Sequence, residues 1–192
     1  SAMLLLDKRT VAELLDARGV IRVVEEAFIA HARGQTNMPP KVYLSLPQYD
    51  GDFRAMPAYV NGAAGLKWVN VHPRNPTDHG LPTVMGVIIY NDPATGQPLA
   101  VLDGTLITSW RTAAAAALAT RALARPDART LGVVGCGAQA EPQIRTIATQ
   151  LRLTEIRVHD ARGDRVAALI QCLPELPLRA TSVEEAAAAD VV

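Results

Sequence analysis

The sequence predicts an α/β protein in two parts: an α+β half with a mostly antiparallel sheet, then a half that opens a parallel sheet. Three observations carry this. Between residues 41 and 102, short runs alternate with period two and are separated by turn residues, as half-buried strands are. From Thr130 the pattern changes to strand, glycine turn, helix, strand, helix. Between the two lies an alanine-rich helical stretch, Thr108 to Ala124, followed by the natural break Arg125-Pro126-Asp127. The expected domains are 3–125 and 126–192.

Element by element, Thr10 followed by Glu13 has the spacing of a capping box, and Val11, Leu14 and Leu15 read as a short helix. Ile21, Val24, Ala27, Phe28 and His31 recur at three and four, so a second helix follows, with Gly34 placed to end it. Strands are expected at Lys41 to Leu46, Phe53 to Val60, Leu66 to His72, Val84 to Tyr90 and Pro98 to Leu102. Pro57 inside the second of these argues for an edge or a bulge. Asn91-Asp92-Pro93-Ala94-Thr95-Gly96 is a turn, because proline presets φ and glycine supplies a positive one. In the second half, Leu131 to Val134, Glu155 to His159 and Pro177 to Ala180 read as strands. Ala138 to Gln150, Arg162 to Cys172 and Val183 to Ala189 read as helices. Asp190-Val191-Val192 looks like the start of one more parallel strand.

Composition excludes several functions. Lysine plus arginine equals aspartate plus glutamate, 19 each, so no global field draws nucleic acid or an anionic membrane. The two cysteines, Cys136 and Cys172, suggest neither a disulfide framework nor a metal site, and the four histidines are scattered. A reducing cytoplasm fits best. Met3 to Leu6 is too short an apolar run for a signal peptide or a membrane span, and Ser1-Ala2 reads as the remnant of a cleaved tag.

The chemistry begins at Gly135-Cys136-Gly137-Ala138-Gln139-Ala140, a G-x-G-x-x-A turn between a strand and a helix. Gly135 permits the tight turn, and Gly137 lets backbone approach a pyrophosphate. Ala140 lets the helix pack on the sheet, and the helix N-terminus offers free N–H groups and positive dipole. Asp160, 20 residues after Ala140, stands where an acid accepts the ribose hydroxyls. Together these predict a Rossmann-type sheet that binds a nicotinamide dinucleotide, NAD rather than NADP. Arg162 pulls the other way, since it could meet a 2′-phosphate. The plainer alternative for Asp160 is a helix cap.

Upstream, alternation puts Lys67, Val69 and Val71 on one strand face. Lys67 is either a snorkelling edge residue or a general base made usable by burial. Arg54, on the face of Met56, has the fork that suits a carboxylate, with a surface arginine as the alternative. Lys41, after Pro39-Pro40, is a third cation that could point the same way. Arg111-Thr112 opens the alanine helix where an anion or nicotinamide could be met. The alternative there is an exposed arginine, unfavourable with the helix dipole.

Met38-Pro39-Pro40-Lys41-Val42-Tyr43-Leu44, Arg54-Ala55-Met56-Pro57-Ala58 and Gly65-Leu66-Lys67-Trp68-Val69-Asn70 resemble the ornithine cyclodeaminase/μ-crystallin family. So do His72-Pro73-x-Asn75-Pro76, Gly80-Leu81-Pro82-Thr83-Val84-Met85 and Arg111-Thr112-Ala113-Ala114. Asn91-Asp92-Pro93-x-Thr95-Gly96-x-Pro98-Leu99-Ala100-Val101 and the glycine turn are similar to its archaeal-type alanine dehydrogenase branch. The likeness runs from Met3 onward. It implies a two-domain subunit, a homodimer built through the sheet-bearing domain, and Lys67 as catalytic acid/base. It implies Arg54, with Lys41, as holder of the substrate carboxylate. It further implies cofactor contacts from Thr83, Arg111, Thr112, Gly135, Gly137, Ala138, Gln139, Asp160, Ala161 and Arg162. The expected activity is reversible oxidative deamination of L-alanine to pyruvate and ammonium. Ornithine cyclodeamination, cyclic ketimine (pyrroline-2-carboxylate) reduction and a non-catalytic μ-crystallin-type dinucleotide binder are the alternatives. Family chains continue past residue 192 and supply an active-site aspartate there, so these 192 residues alone are expected to be inactive.

Overall fold

A computed structural model describes residues 2–192; Ser1, half of the expected tag remnant, lies outside the described residues. Contacts group the chain into two compact units, residues up to Leu15 with Glu26–Thr108, and Asp16–Glu25 with Ser109–Val192.

The first unit is a seven-stranded sheet: β1 (Leu4–Leu6), β2 (Thr36–Asn37), β3 (Val42–Leu46), β4 (Gly51–Val60), β5 (Ala63–Val71), β6 (Val84–Asn91) and β7 (Pro98–Asp103). Its order is β1-β7-β6-β5-β4-β2, with β3 also on β4, and every pairing is antiparallel except β1 with β7. The five expected strands are present. Pro57 finds its place without a bulge. One side of β4 pairs with β5 throughout, while on the other β3 covers residues 51–55 and β2 covers 59–60. Pro57 falls in the gap, where its missing N–H costs no ladder bond. Gly96, at φ +75°, closes the β6–β7 turn as expected.

Two helices start elsewhere than their sequence patterns predict. Helix α1 (Lys8–Leu14) is capped by Asp7, not Thr10: Asp7 Oδ1 accepts both the Thr10 N–H at 2.8 Å and the Thr10 hydroxyl at 2.7 Å. An aspartate at the cap outcompetes a threonine one turn inside because only the cap side chain can reach the free N–H groups. Helix α4 (Gly104–Leu123) starts four residues earlier than expected, because Asp103 Oδ1 accepts the N–H groups of Thr105 and Leu106 at 3.1 Å each. The chain also makes a one-turn helix, α3 (Asn75–Asp78), between β5 and β6. Helix α2 (Ala17–Ala32) ends at Gly34, φ +69°, as expected.

The second unit is a parallel sheet with helices: β8 (Thr130–Val134), α5 (Ala140–Ala148), β9 (Glu155–His159), α6 (Gly163–Cys172), β10 (Leu178–Ala180) and α7 (Val183–Ala187). The strand order is β10-β9-β8, and Val191 bridges Leu131 in parallel on the far side. This is the beginning of the doubly wound order, with the crossover helices returning each strand to the same sense. Its core holds Leu131, Ile144, Ile156, Val158 and Leu173, all at 2 % exposure or less. Ala114 and Ala117 of α4 belong to that core, so by contacts the alanine helix from Ser109 goes with the parallel sheet and not with residues 3–125. Alanine side chains let the helix axis approach closely enough to be sealed there. Gly132 has the same logic in stronger form. A Cβ on it would stand 2.0 Å from the Ala186 carbonyl oxygen, so only glycine lets α7 lie against β8.

Candidate functional site

In the second unit the glycine turn leaves β8 with Gly135 at φ +101°, a backbone conformation that only glycine adopts freely. The turn is tied where it leaves the strand. Gly135 N–H donates to the His159 carbonyl at 2.8 Å, and Cys136 N–H donates to Asp160 Oδ2 at 2.7 Å. The other oxygen of Asp160 accepts the Arg162 N–H at 2.8 Å. These two backbone donors, Arg162 first and Cys136 second, hold the Asp160 carboxyl below its ordinary value, so it is an anion at neutral pH. Each oxygen keeps a lone pair for a ligand hydroxyl.

Beyond the tie, the cradle is open. Nothing lies within 4 Å of where a Gly137 Cβ would be. Among the described residues no hydrogen bond engages the N–H of Gly137, Ala138 or Gln139. Three free amides at the head of the nine-residue α5, beside open space, fit a phosphate-bearing cofactor. Ala140, 4 % exposed, seats the helix on the sheet. The Gln139 side-chain amide, through Nε2, donates to Ser109 Oγ at 3.0 Å, which ties the turn to α4, where Arg111 is exposed and Thr112 half-buried. Ala161 is exposed between Asp160 and Arg162. Arg162 forms an ion pair with Asp164 at 2.7 Å. The Cys136 thiol is pushed up by burial, with Asp160 adding to the effect, so it is no nucleophile at neutral pH.

In the first unit the register gathers a second set. Tyr43 faces Arg54, Arg54 faces Val69, Met56 faces Lys67, and Lys67 faces Ile88. Directly opposed residues share a face, so Tyr43, Arg54, Met56, Lys67 and Val69 stand on one side of the sheet. Arg54 and Lys67 are diagonal neighbours there, roughly 7 Å apart at Cβ. Lys67 is half-buried and its ammonium donates to Thr108 Oγ1 at 3.3 Å. Arg54 is held by Asp52, with Nε to Oδ1 at 2.8 Å and Nη2 to Oδ2 at 2.9 Å. That pairing holds the Asp52 carboxyl below its ordinary value and raises the guanidinium further. Lys41 Nζ and Arg54 Cζ lie 5.4 Å and 5.2 Å from the centroid of the Tyr43 ring, within cation–π range.

Lys41, Arg54 and Lys67 are thus brought to one face, and Gly135 to Arg162 form a second group. Thr83 precedes β6, and its carbonyl accepts the His72 N–H at 2.8 Å. Among the described residues no side-chain hydrogen bond or ion pair joins Thr83 or Arg111 to another candidate. Asp52, Tyr43, Thr108 and Ser109 were not singled out from sequence. Only Asp52 left a signal, an acid two residues from Arg54 and therefore on its face. A cavity of about 250 Å³ opens beside Tyr49, His72, Arg74 and Asp78. None of the candidate residues lines it. Among the described residues no cluster of potential metal ligands occurs, and no helix is long and apolar enough to cross a membrane.

Residues 2–192 match the ornithine cyclodeaminase/mu-crystallin family model. The chain is 42 % identical over 191 residues to an alanine dehydrogenase of Archaeoglobus fulgidus, covering 98 % of this chain and 58 % of that protein. A solved archaeal alanine dehydrogenase dimer with bound NAD superposes with TM-score 0.90 at 42 % identity, over 96 % of this chain and 57 % of that one. The Δ1-pyrroline-2-carboxylate reductase of Thermococcus litoralis, solved with NADH and L-proline, gives TM-score 0.91 at 32 % identity over 98 % and 60 %. The chain therefore spans somewhat more than half the length of the relatives it matches. The match along the whole chain, on an α/β fold of parallel and antiparallel sheets, places it: the chain belongs to the ornithine cyclodeaminase/mu-crystallin family.

Proposed function

We propose that this chain carries the cofactor cradle and the substrate anchor of an NAD-dependent oxidoreductase acting on a small amino acid or its imine, with L-alanine, pyruvate and ammonium as reactants. The observation that carries the substrate half is the diagonal placement of Arg54 and Lys67 on one sheet face, an anion anchor beside a proton carrier. The cofactor half is supported by the open glycine turn and Asp160, and by the NAD and NADH in the two solved relatives.

NAD, when bound, supplies the acceptor for a hydride from the α-carbon. The residues do the rest. Arg54 fixes the α-carboxylate and so limits how the α-carbon can be presented. Lys67, held by Thr108, takes a proton from the substrate ammonium before the hydride leaves, takes one from the water that attacks the imine, and gives one to the amine as it departs. The free amides of Gly137, Ala138 and Gln139 would hold the pyrophosphate, and Asp160 would accept ribose hydroxyls. Thr83, Arg111, Thr112, Ala161 and Lys41 remain assigned by resemblance to the family. NAD is favoured over NADP because Asp160 would repel a 2′-phosphate and Arg162 is engaged by Asp164. A reducing, cytoplasmic setting goes with this reading, supported by two unpaired cysteines.

The opposite face of the antiparallel sheet leaves Leu5, Val42, Leu44 and Val87 exposed at 74, 66, 51 and 44 %. An apolar face of that kind marks an interface. A second copy is its proposed occupant, and the solved archaeal alanine dehydrogenase relative is a dimer. Light scattering of the full-length protein tests this, a monomer being the contrary result.

A substrate panel on the full-length protein discriminates the alternatives. NADH consumption with pyruvate plus ammonium supports alanine dehydrogenation. Consumption only with pyrroline-2-carboxylate supports ketimine reduction. Ammonia release from ornithine without net NADH supports cyclodeamination. Tight dinucleotide binding with no turnover on any of them supports the non-catalytic alternative.

A further inference from the structure

We infer that Asp52 is a positioning residue of the carboxylate site, clamping Arg54 by one edge of its guanidinium so that a ligand meets only the other. The inference rests on reading Arg54 as the substrate anchor. A guanidinium has two bidentate edges, Nε with Nη2 and Nη1 with Nη2. Asp52 takes the first, through contacts of 2.8 Å and 2.9 Å. The two residues lie two apart on β4, so both point to the same face and the clamp needs no other element.

What remains on Arg54 is the distal edge, with both hydrogens of Nη1 and one of Nη2. A carboxylate can then arrive in one orientation, end-on. The flat face is also engaged, because Tyr43 stands directly opposite Arg54 across the strand pair with its ring 5.2 Å away. Edge and face together define the plane of the guanidinium before any ligand binds. Charge is not cancelled by the clamp. Among Lys41, Arg54, Lys67 and Asp52 there are three cations and one carboxylate, so this set stays attractive to an anion. An unclamped arginine would lose its rotamer freedom at the moment of binding, a cost worth about tenfold in affinity.

The test is kinetic, on the full-length protein. Asp52→Asn keeps the shape and removes the charge-assisted clamp. It is expected to raise KM for the amino acid about tenfold, with kcat within about twofold, and with NAD affinity and melting temperature unchanged. Asp52→Glu, which restores a carboxylate, is expected to recover most of the KM. A merely structural role would instead lower the melting temperature and leave the KM-against-kcat split unmoved. Unchanged KM in Asp52→Asn overturns the inference. Should that variant fail to fold, Asp52→Ser carries the same expectation and the same contrary result. Arg54→Ala, measured in parallel, separates the two failures. If it leaves KM unchanged, the carboxylate reading itself falls. If it raises KM steeply while Asp52→Asn does not, only the positioning role falls.

Discussion

Asp160 Oδ2 accepts the Cys136 N–H at 2.7 Å, so the acid that closes β9 also holds the glycine turn that closes β8. One carboxylate therefore shapes the cradle and offers lone pairs to a ribose. Asp160→Asn is expected to weaken NAD binding about tenfold and to narrow the preference over NADP, since the amide neither repels a 2′-phosphate nor accepts as strongly. Titration of both reduced dinucleotides by fluorescence checks this. Equal affinities before and after the change would remove Asp160 from the site.

Gly137 and Gly132 lie five residues apart and have opposite jobs. No atom lies within 4 Å of a Gly137 Cβ, so Gly137→Ala is expected to alter stability by less than about 0.5 kcal/mol while weakening dinucleotide binding. A Gly132 Cβ would sit 2.0 Å from the Ala186 carbonyl oxygen. Gly132→Ala is expected to cost about 3 kcal/mol, from forced separation of α7 and β8. Denaturant midpoints and dinucleotide titration on the two variants give the contrast; equal stability losses would contradict it.

Asp190 ties the end of the chain to the start of β8. Its carboxylate accepts the N–H groups of Arg129 and Thr130 at 2.8 Å and 2.9 Å and the Thr130 hydroxyl at 2.9 Å, and pairs with Arg125. The two backbone donors and the hydroxyl hold its pKa down to about 2, from an ordinary 3.8. A carboxyl depressed on folding contributes stability above its unfolded pKa and loses it as pH falls through the folded one. The contribution is therefore complete above about pH 4 and gone below about pH 2. Asp190→Asn is expected to lower the melting temperature at neutral pH and to flatten its dependence on pH across that window. An identical slope would contradict the tie.

Strands β3 to β7 and the whole β8–α7 succession were legible because their patterns are local. Alternation marks a half-buried strand, and strand–glycine–helix marks the cradle. β1 was not legible, because Leu4–Leu6 is a strand only through parallel pairing with β7, almost 100 residues away. The α4 start was missed because Asp103 ends a strand and caps a helix at once. At the site, Lys67 and Arg54 could each be proposed from residue type and face. Their diagonal relation depends on the β4–β5 register, which sequence alone did not define. Thr108 meets Lys67 across 41 residues and has no local signature.

The central claim is a division of labour, with proton transfer at Lys67 and dinucleotide binding at the glycine turn. The most direct measurement is turnover and NAD affinity together in full-length Lys67→Ala. In that variant kcat is expected to fall at least about a hundredfold with the NAD dissociation constant unchanged. Turnover at the wild-type level, with the protein folded and NAD bound, would contradict it.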